Sequence, residues 1–188
     1  MRACKRGLVA LAVLVLLGIG VGCGSTNSPS EPDVNEVLVG FFGVDPGATF
    51  LHTCEDSGAD DAEPIILADQ DLTPGTSIRI EVLGQFNGGG GNSDGLWAVF
   101  SSSATLLGGS ELNRVSDAID AGEDYESPPT FNCGSEPTNI SEDFECTPEV
   151  SVTIPAGATH LFLSAADTYF GDNTDFDGDF GVNIWKQE

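Results

Sequence analysis

The chain has 188 residues, 30 of them Asp or Glu against 6 Lys or Arg, for a formal net charge of −24. Binding to nucleic acid or attraction to an anionic lipid surface is excluded, because both need clustered Lys and Arg. A 40% hydrophobic content over this length is enough for one domain with a real core.

The first 22 residues read as a secretory signal peptide. Arg2, Lys5 and Arg6 precede an apolar run from Leu8 to Val21, and Gly20-Val21-Gly22 leads into Cys23. The run spans 14 residues, short of the roughly 20 that a transmembrane helix needs. Cys23 resembles the modified cysteine of a bacterial lipobox, although Gly20 stands where that motif usually has Leu. The resemblance implies lipidation of Cys23 and an anchored protein of the bacterial cell envelope. Each buried methylene contributes about 0.8 kcal/mol, and more than one acyl chain makes the attachment stable.

Residues 23–35 form a tether. Ser25 to Asp33 reads Ser-Thr-Asn-Ser-Pro-Ser-Glu-Pro-Asp, with nothing apolar to bury. Residues 36–188 form the folded domain. Beyond residue 22 only Arg79, Arg114 and Lys186 are basic, so three positive charges against 30 negative leave −27. Bound cations such as calcium would offset part of that self-repulsion.

Strand signals dominate the domain. Ser77-Ile78-Arg79-Ile80-Glu81-Val82 and Glu149-Val150-Ser151-Val152-Thr153-Ile154 alternate strictly, and 161–165 and 180–185 continue the pattern. A period of two puts one face in the core and the other in water. Leu96 to Phe100 and Pro64 to Leu67 are short apolar runs suited to buried strands. Turns at Thr73-Pro74-Gly75-Thr76 and Pro155-Ala156-Gly157 punctuate the strands. Asn87 to Asn92 reads as a Gly-rich surface loop, and it lacks the G-x-G-x-x-G spacing of a phosphate cradle. The expected fold is all-β, an antiparallel β-sandwich of jelly-roll, galactose-binding-like type.

Ser110 to Glu149 interrupts the strands with an acidic, Pro-containing stretch. Cys133 and Cys146 enclose 12 residues and are expected to pair, stapling it by roughly 3 kcal/mol in the chain-entropy model. Cys54 is then free, or replaces one of the two. There is no C-x-x-C, and His52 and His160 stand far apart, which argues against zinc.

The densest chemical signal is Asp167 to Asp179, in which five of 13 residues are Asp. Carboxylates this close repel one another unless a hard cation joins them, and calcium accepts six to eight oxygens in flexible geometry. Asn173-x-Asp175-x-Asp177-Gly178 matches the opening of an EF-hand loop. The twelfth position is Ile184 instead of Glu, and flanking helices are missing, so an EF-hand is rejected.

Thr159-His160-Leu161-Phe162-Leu163-Ser164-Ala165-Ala166-Asp167, then Gly171-Asp172-Asn173, then Gly178-Asp179-Phe180-Gly181-Val182-Asn183-Ile184 resembles the C-terminal half of PA-IL-like galactose-binding lectins. The Thr73-Pro74-Gly75-Thr76-Ser77-Ile78 turn and strand extends the similarity to roughly 72–186. The resemblance implies one Ca2+ that ligates protein and sugar hydroxyls together. Asp167, Asp172 and Asn173 match side-chain ligands, with a carbonyl from Phe170 or Gly171 and another from Phe86. Asp175 and Asp177 either add ligands or flank the site. The spacing after Asp167 is shorter than in the lectins, Thr174 to Asp177 look inserted, and the family's His and Gln sugar contacts have no counterpart in 87–97. Tyr169 and Tyr125 are the aromatic candidates for stacking on a sugar ring; Trp97 and Trp185 read as packing residues.

No G-x-S-x-G elbow or H-E-x-x-H pair occurs, and nothing selects one carboxylate pair among 30 acids. The chain is therefore read as a non-enzyme. Its expected role is calcium-dependent carbohydrate binding, the alternative being a structural or adhesive surface domain that calcium only stabilises.

Overall fold

The computed structural model describes residues 35–54, 56–122 and 140–188, with the backbone alone of 132, 133, 136 and 137. They lie within one unit, Pro32–Glu188. The expected signal peptide, Cys23, most of the expected tether, Tyr125 and the side chain of Cys133 lie outside the described residues.

The protein is all-β. In chain order the strands are β1 (Glu36–Gly43), β2 (Ala48–Thr49), β3 (Asp60–Asp61), β4 (Ile65–Ile66), β5 (Ser77–Leu83), β6 (Phe86–Gly88), β7 (Gly91–Ser93) and β8 (Leu96–Ser101). They continue as β9 (Ala118–Ile119), β10 (Asn132–Cys133), β11 (Glu136–Pro137), β12 (Phe144–Glu145), β13 (Glu149–Thr153), β14 (His160–Ala165) and β15 (Gly181–Gln187). One sheet has the order β1-β15-β5-β13 and the other β12-β8-β14-β4, with β9 also on β8; every pairing in both is antiparallel. Among the described residues no helix is long and apolar enough to cross a membrane.

The alternation in β5 and β15 explains the first sheet. Ile78, Ile80, Val182 and Ile184 are buried against Leu96, Ala98, Phe100, Leu161, Leu163 and Ala165 of the second sheet. The opposite face carries Arg79, which is paired with Glu36 at 2.7 Å and Glu149 at 3.2 Å and lies 5.0 Å from the Trp185 ring centroid. Glu36 is held below the ordinary carboxylate range, first by its hydrogen bond to Arg79 and against the opposing effect of burial. β1 and β15 run antiparallel from Glu36↔Gln187 to Gly43↔Gly181, and the Glu188 N–H donates to Asn35 O at 2.9 Å.

The second sheet is covered on both faces. Val99 of β8 and Phe162 of β14 point away from the sandwich core into a second cluster with Phe50, Leu51, Val115, Ile140 and Phe170. Two-sided burial is why β8 reads as an apolar run without alternation. The loops that cover it are held by Arg114, fully buried, which donates to Thr49 O, Leu51 O and Leu107 O and pairs with Asp61.

The expected Cys133–Cys146 disulfide is not formed: Cys146 is a free, buried thiol. Alternation through Phe144-Glu145-Cys146 turns Glu145 to solvent and sends Phe144 and Cys146 into the core. Burial, with the Glu145 charge second, pushes the Cys146 thiol pKa well up. Cys54 is the disulfide-bonded cysteine, which agrees with the alternative in which it replaces one of the expected pair.

Candidate metal and ligand site

The loop from Asp167 to Phe180 joins β14 to β15 at the end of the sandwich where Gly43 pairs with Gly181. Its first half is moored by Asp56. The Asp56 Oδ2 atom accepts Phe170 N–H at 2.8 Å and Gly171 N–H at 2.7 Å, and Oδ1 accepts Gly58 N–H at 2.9 Å. Burial alone would raise the Asp56 pKa; the N–H groups of Gly171, Gly58 and Phe170 outweigh it and lower the pKa. The approach is close enough to require glycine. A Cβ on Gly171 would lie 2.9 Å from the Gly58 Cα, so something must shift to admit one.

Asn173 crosses to the other side of the mouth. Its Nδ2 donates to Pro46 O at 3.0 Å and its backbone N–H to Phe170 O at 3.0 Å. Its Oδ1 is buried and has no hydrogen-bond partner. Asp167 turns Oδ1 onto the Thr168 N–H at 2.6 Å. Its Oδ2 points to the same place as Asn173 Oδ1: a Cβ on Gly88 would lie 2.7 Å from the former and 2.8 Å from the latter. Asp172 Oδ2 reaches the neighbouring glycine, within 2.5 Å of where a Gly89 Cβ would be. Asp167 Oδ2 and Asn173 Oδ1 therefore converge over Gly88, and Asp172 Oδ2 lies over the next residue, Gly89.

This surface is built, not loose. Asn87 to Asn92, expected as a surface loop, forms the β6–β7 hairpin, with pairs Phe86↔Ser93, Asn87↔Asn92 and Gly88↔Gly91. The hairpin docks on the acidic loop through Asn87 N–H to Thr174 O at 2.8 Å and Thr174 N–H to Asn87 O at 2.9 Å. The Phe86 ring is core, packed 5.1 Å from the Phe180 centroid.

The two other expected carboxylates, Asp175 and Asp177, group instead with Asp179, which was not expected. Asp175, Asp177 and Asp179 place one carboxylate oxygen each within 4.8 Å of one another. Asp175 closes the turn, accepting Gly178 N–H at 2.9 Å and Phe180 N–H at 3.1 Å. Those bonds lower its pKa although burial opposes them, whereas the Asp179 charge raises the pKa of Asp177. The acidic loop thus splits into Asp167, Asp172 and Asn173 over the hairpin, and an Asp triad beyond it. Gly171 contributes its N–H to Asp56, and Tyr169 is 54% exposed beside the first group in sequence.

Sequence reasoning did not find Asp56, Pro46 or Gly88. Asp56 is 114 residues from Phe170, and only the Asp56-Ser57-Gly58 turn signature was readable locally. Comparison with protein-family models, curated proteins and solved structures returns no match.

Proposed function

We propose that this chain is a lipid-anchored, calcium-dependent carbohydrate-binding protein of the bacterial cell envelope. The observation that carries the reading is the buried, unpartnered Asn173 Oδ1 directed at the same point as Asp167 Oδ2. A buried acceptor without a partner costs about 1–3 kcal/mol. A hard cation satisfies an amide oxygen and a carboxylate together, and calcium tolerates the irregular geometry that two loops impose. Asp172 would complete the side-chain set. Lipid on Cys23 supplies the anchor in this reading, and sugar hydroxyls fill positions on calcium that the protein leaves open. No catalytic role is assigned.

A second reading is structural. Asn173 also binds Pro46 O, so a cation on its Oδ1 would tie the 46 segment, the acidic loop and the hairpin into one unit without any sugar. Calorimetric titration of calcium into the chelated protein, followed by galactose and a glycan panel, separates the two. Calcium is expected to bind, and Asp167→Ala or Asn173→Ala to weaken it at least tenfold. Calcium binding without a sugar response supports the structural reading. An absence of calcium binding sinks both.

A further inference from the structure

β1 is an edge strand of the first sheet and β4 an edge strand of the second. A cavity of about 370 Å3 opens where the chain leaves β1, bounded by the 42–45 segment, by Ile65 of β4, by Leu163 of β14 and by the β2–β3 pair. We infer that this cavity binds a linear aliphatic diamine, with its methylenes on the apolar lining and its two ammonium groups on carboxylates at the rim. The inference stands apart from the calcium and carbohydrate reading and uses none of its residues.

The cavity joins two kinds of surface. Val44 and Leu163 belong to the main core, and Phe42 and Ile65 pack against it; all four also line the cavity. Hydrocarbon laid on them leaves water, which is favourable. Around this lining stand Asp45, Asp60, Asp61 and Glu63, all exposed, and no basic residue is among them.

The charges there are not balanced from within. Arg114 pairs with Asp61, which accounts for one of the four. Asp45 Oδ1 accepts the Gly47 N–H at 2.9 Å, a bond that leaves its charge in place. The side chains of Asp60 and Glu63 have no hydrogen bond or ion pair among the described residues. Three carboxylates therefore face one cavity without a cationic partner.

Their spread decides between a bare ion and an organic cation. Among the described residues, the acids that bring three oxygens within 4.8 Å of one another are Asp175, Asp177 and Asp179, and no such group forms at this cavity. Calcium needs six to eight oxygens about one point, and an apolar wall supplies none. Separated carboxylates suit separated ammonium groups, which only donate hydrogen bonds where carboxylates only accept. Hydrocarbon between the two ammonium groups suits the lining between the acids. The volume lies near the low end of the roughly 300–1,000 Å3 of ligand pockets, enough for a short extended chain. Anionic ligands are repelled by the same rim.

The test is calorimetric titration of trimethylenediamine, pentamethylenediamine and n-pentylamine into the protein without calcium, at about 0.15 M salt to screen diffuse attraction. Pentamethylenediamine is expected to bind at least tenfold tighter than n-pentylamine, which has one charge, and at least fivefold tighter than trimethylenediamine, which has fewer methylenes. Asp60→Asn with Glu63→Gln should cut its affinity at least tenfold. Ala48→Leu, which keeps every carboxylate and fills the cavity from β2, should do the same. Asp94→Asn with Glu111→Gln removes equal charge away from the cavity and should change affinity less than twofold. Urea midpoints check that each variant folds, and the comparison of the three amines on the wild type needs no variant. Equal affinity for the three amines, or equal losses in the two double variants, would show general attraction to an acidic surface and overturn the site. Binding unchanged in Ala48→Leu would place the amine outside the cavity and overturn it too, as would no binding at all.

Discussion

Arg79 gathers three carboxylates, Glu36, Glu81 and Glu149, on the outer face of the first sheet. Glu36 is the partner that matters most, because Arg79 donates to both of its oxygens and its side chain is 5% exposed. Its folded-state pKa lies below its unfolded value near 4.5. A depressed carboxyl contributes stability that is fully present above the unfolded value and is lost as pH falls through the folded one. Urea midpoints of the wild type are therefore expected to fall as the solution is acidified below about pH 4.5. Glu36→Gln should start less stable and show a shallower acid limb. Parallel acid limbs in the two proteins would contradict the assignment.

At the scale of elements, β5, β13 and β15 were legible from alternation and lie where the pattern of 77–82, 149–154 and 180–185 puts them; β14 lies where 161–165 puts it, but the water-facing side expected there is absent, because both of its faces are buried. β1 was not legible. Its bulge between Leu38 and Gly40 inserts a residue and leaves Val37-Leu38-Val39 as a run with no period of two. The β6–β7 hairpin was hidden by composition, since Gly-rich text reads as a loop and only its docking to Thr174 fixes it. The Asp167–Asn173 group was legible as a local acidic motif. Its partners Asp56, Gly88 and Pro46 were not, because they are brought in by tertiary packing. β8 and β14 carry the least expected burden, with a second core on their outer face. Phe162→Ala is expected to cost about 3–5 kcal/mol, as large as a change in the inner core. A denaturation shift below ~1 kcal/mol would show the outer cluster to be a loose cover.

For the molecule as a whole, the placement of its cations is as important as their scarcity. Arg79 and Arg114 are buried and spent on internal pairs, so among the described residues the charged groups left at the surface are, Lys186 aside, carboxylates. A divalent cation bound at the acidic loop both neutralises charge and stabilises the native state by mass action. At a hundredfold excess over its Kd calcium should add about 2.7 kcal/mol, raising Tm by about 5–10 °C for a domain of this size. Scanning calorimetry in calcium and in sodium chloride of matched ionic strength distinguishes binding from screening. Equal shifts would leave only general relief of repulsion.

The bond between Asn35 and Glu188 closes one pole of the sandwich, while the acidic loop and hairpin crown the pole where Gly43 meets Gly181. Along the eight residues of β1 this separates the two by about 25 Å. A chip, bead or fluorophore grafted at either of these neighbouring positions would therefore stand behind the molecule. Immobilised in that way, the protein presents its crown outward by construction, in a single orientation.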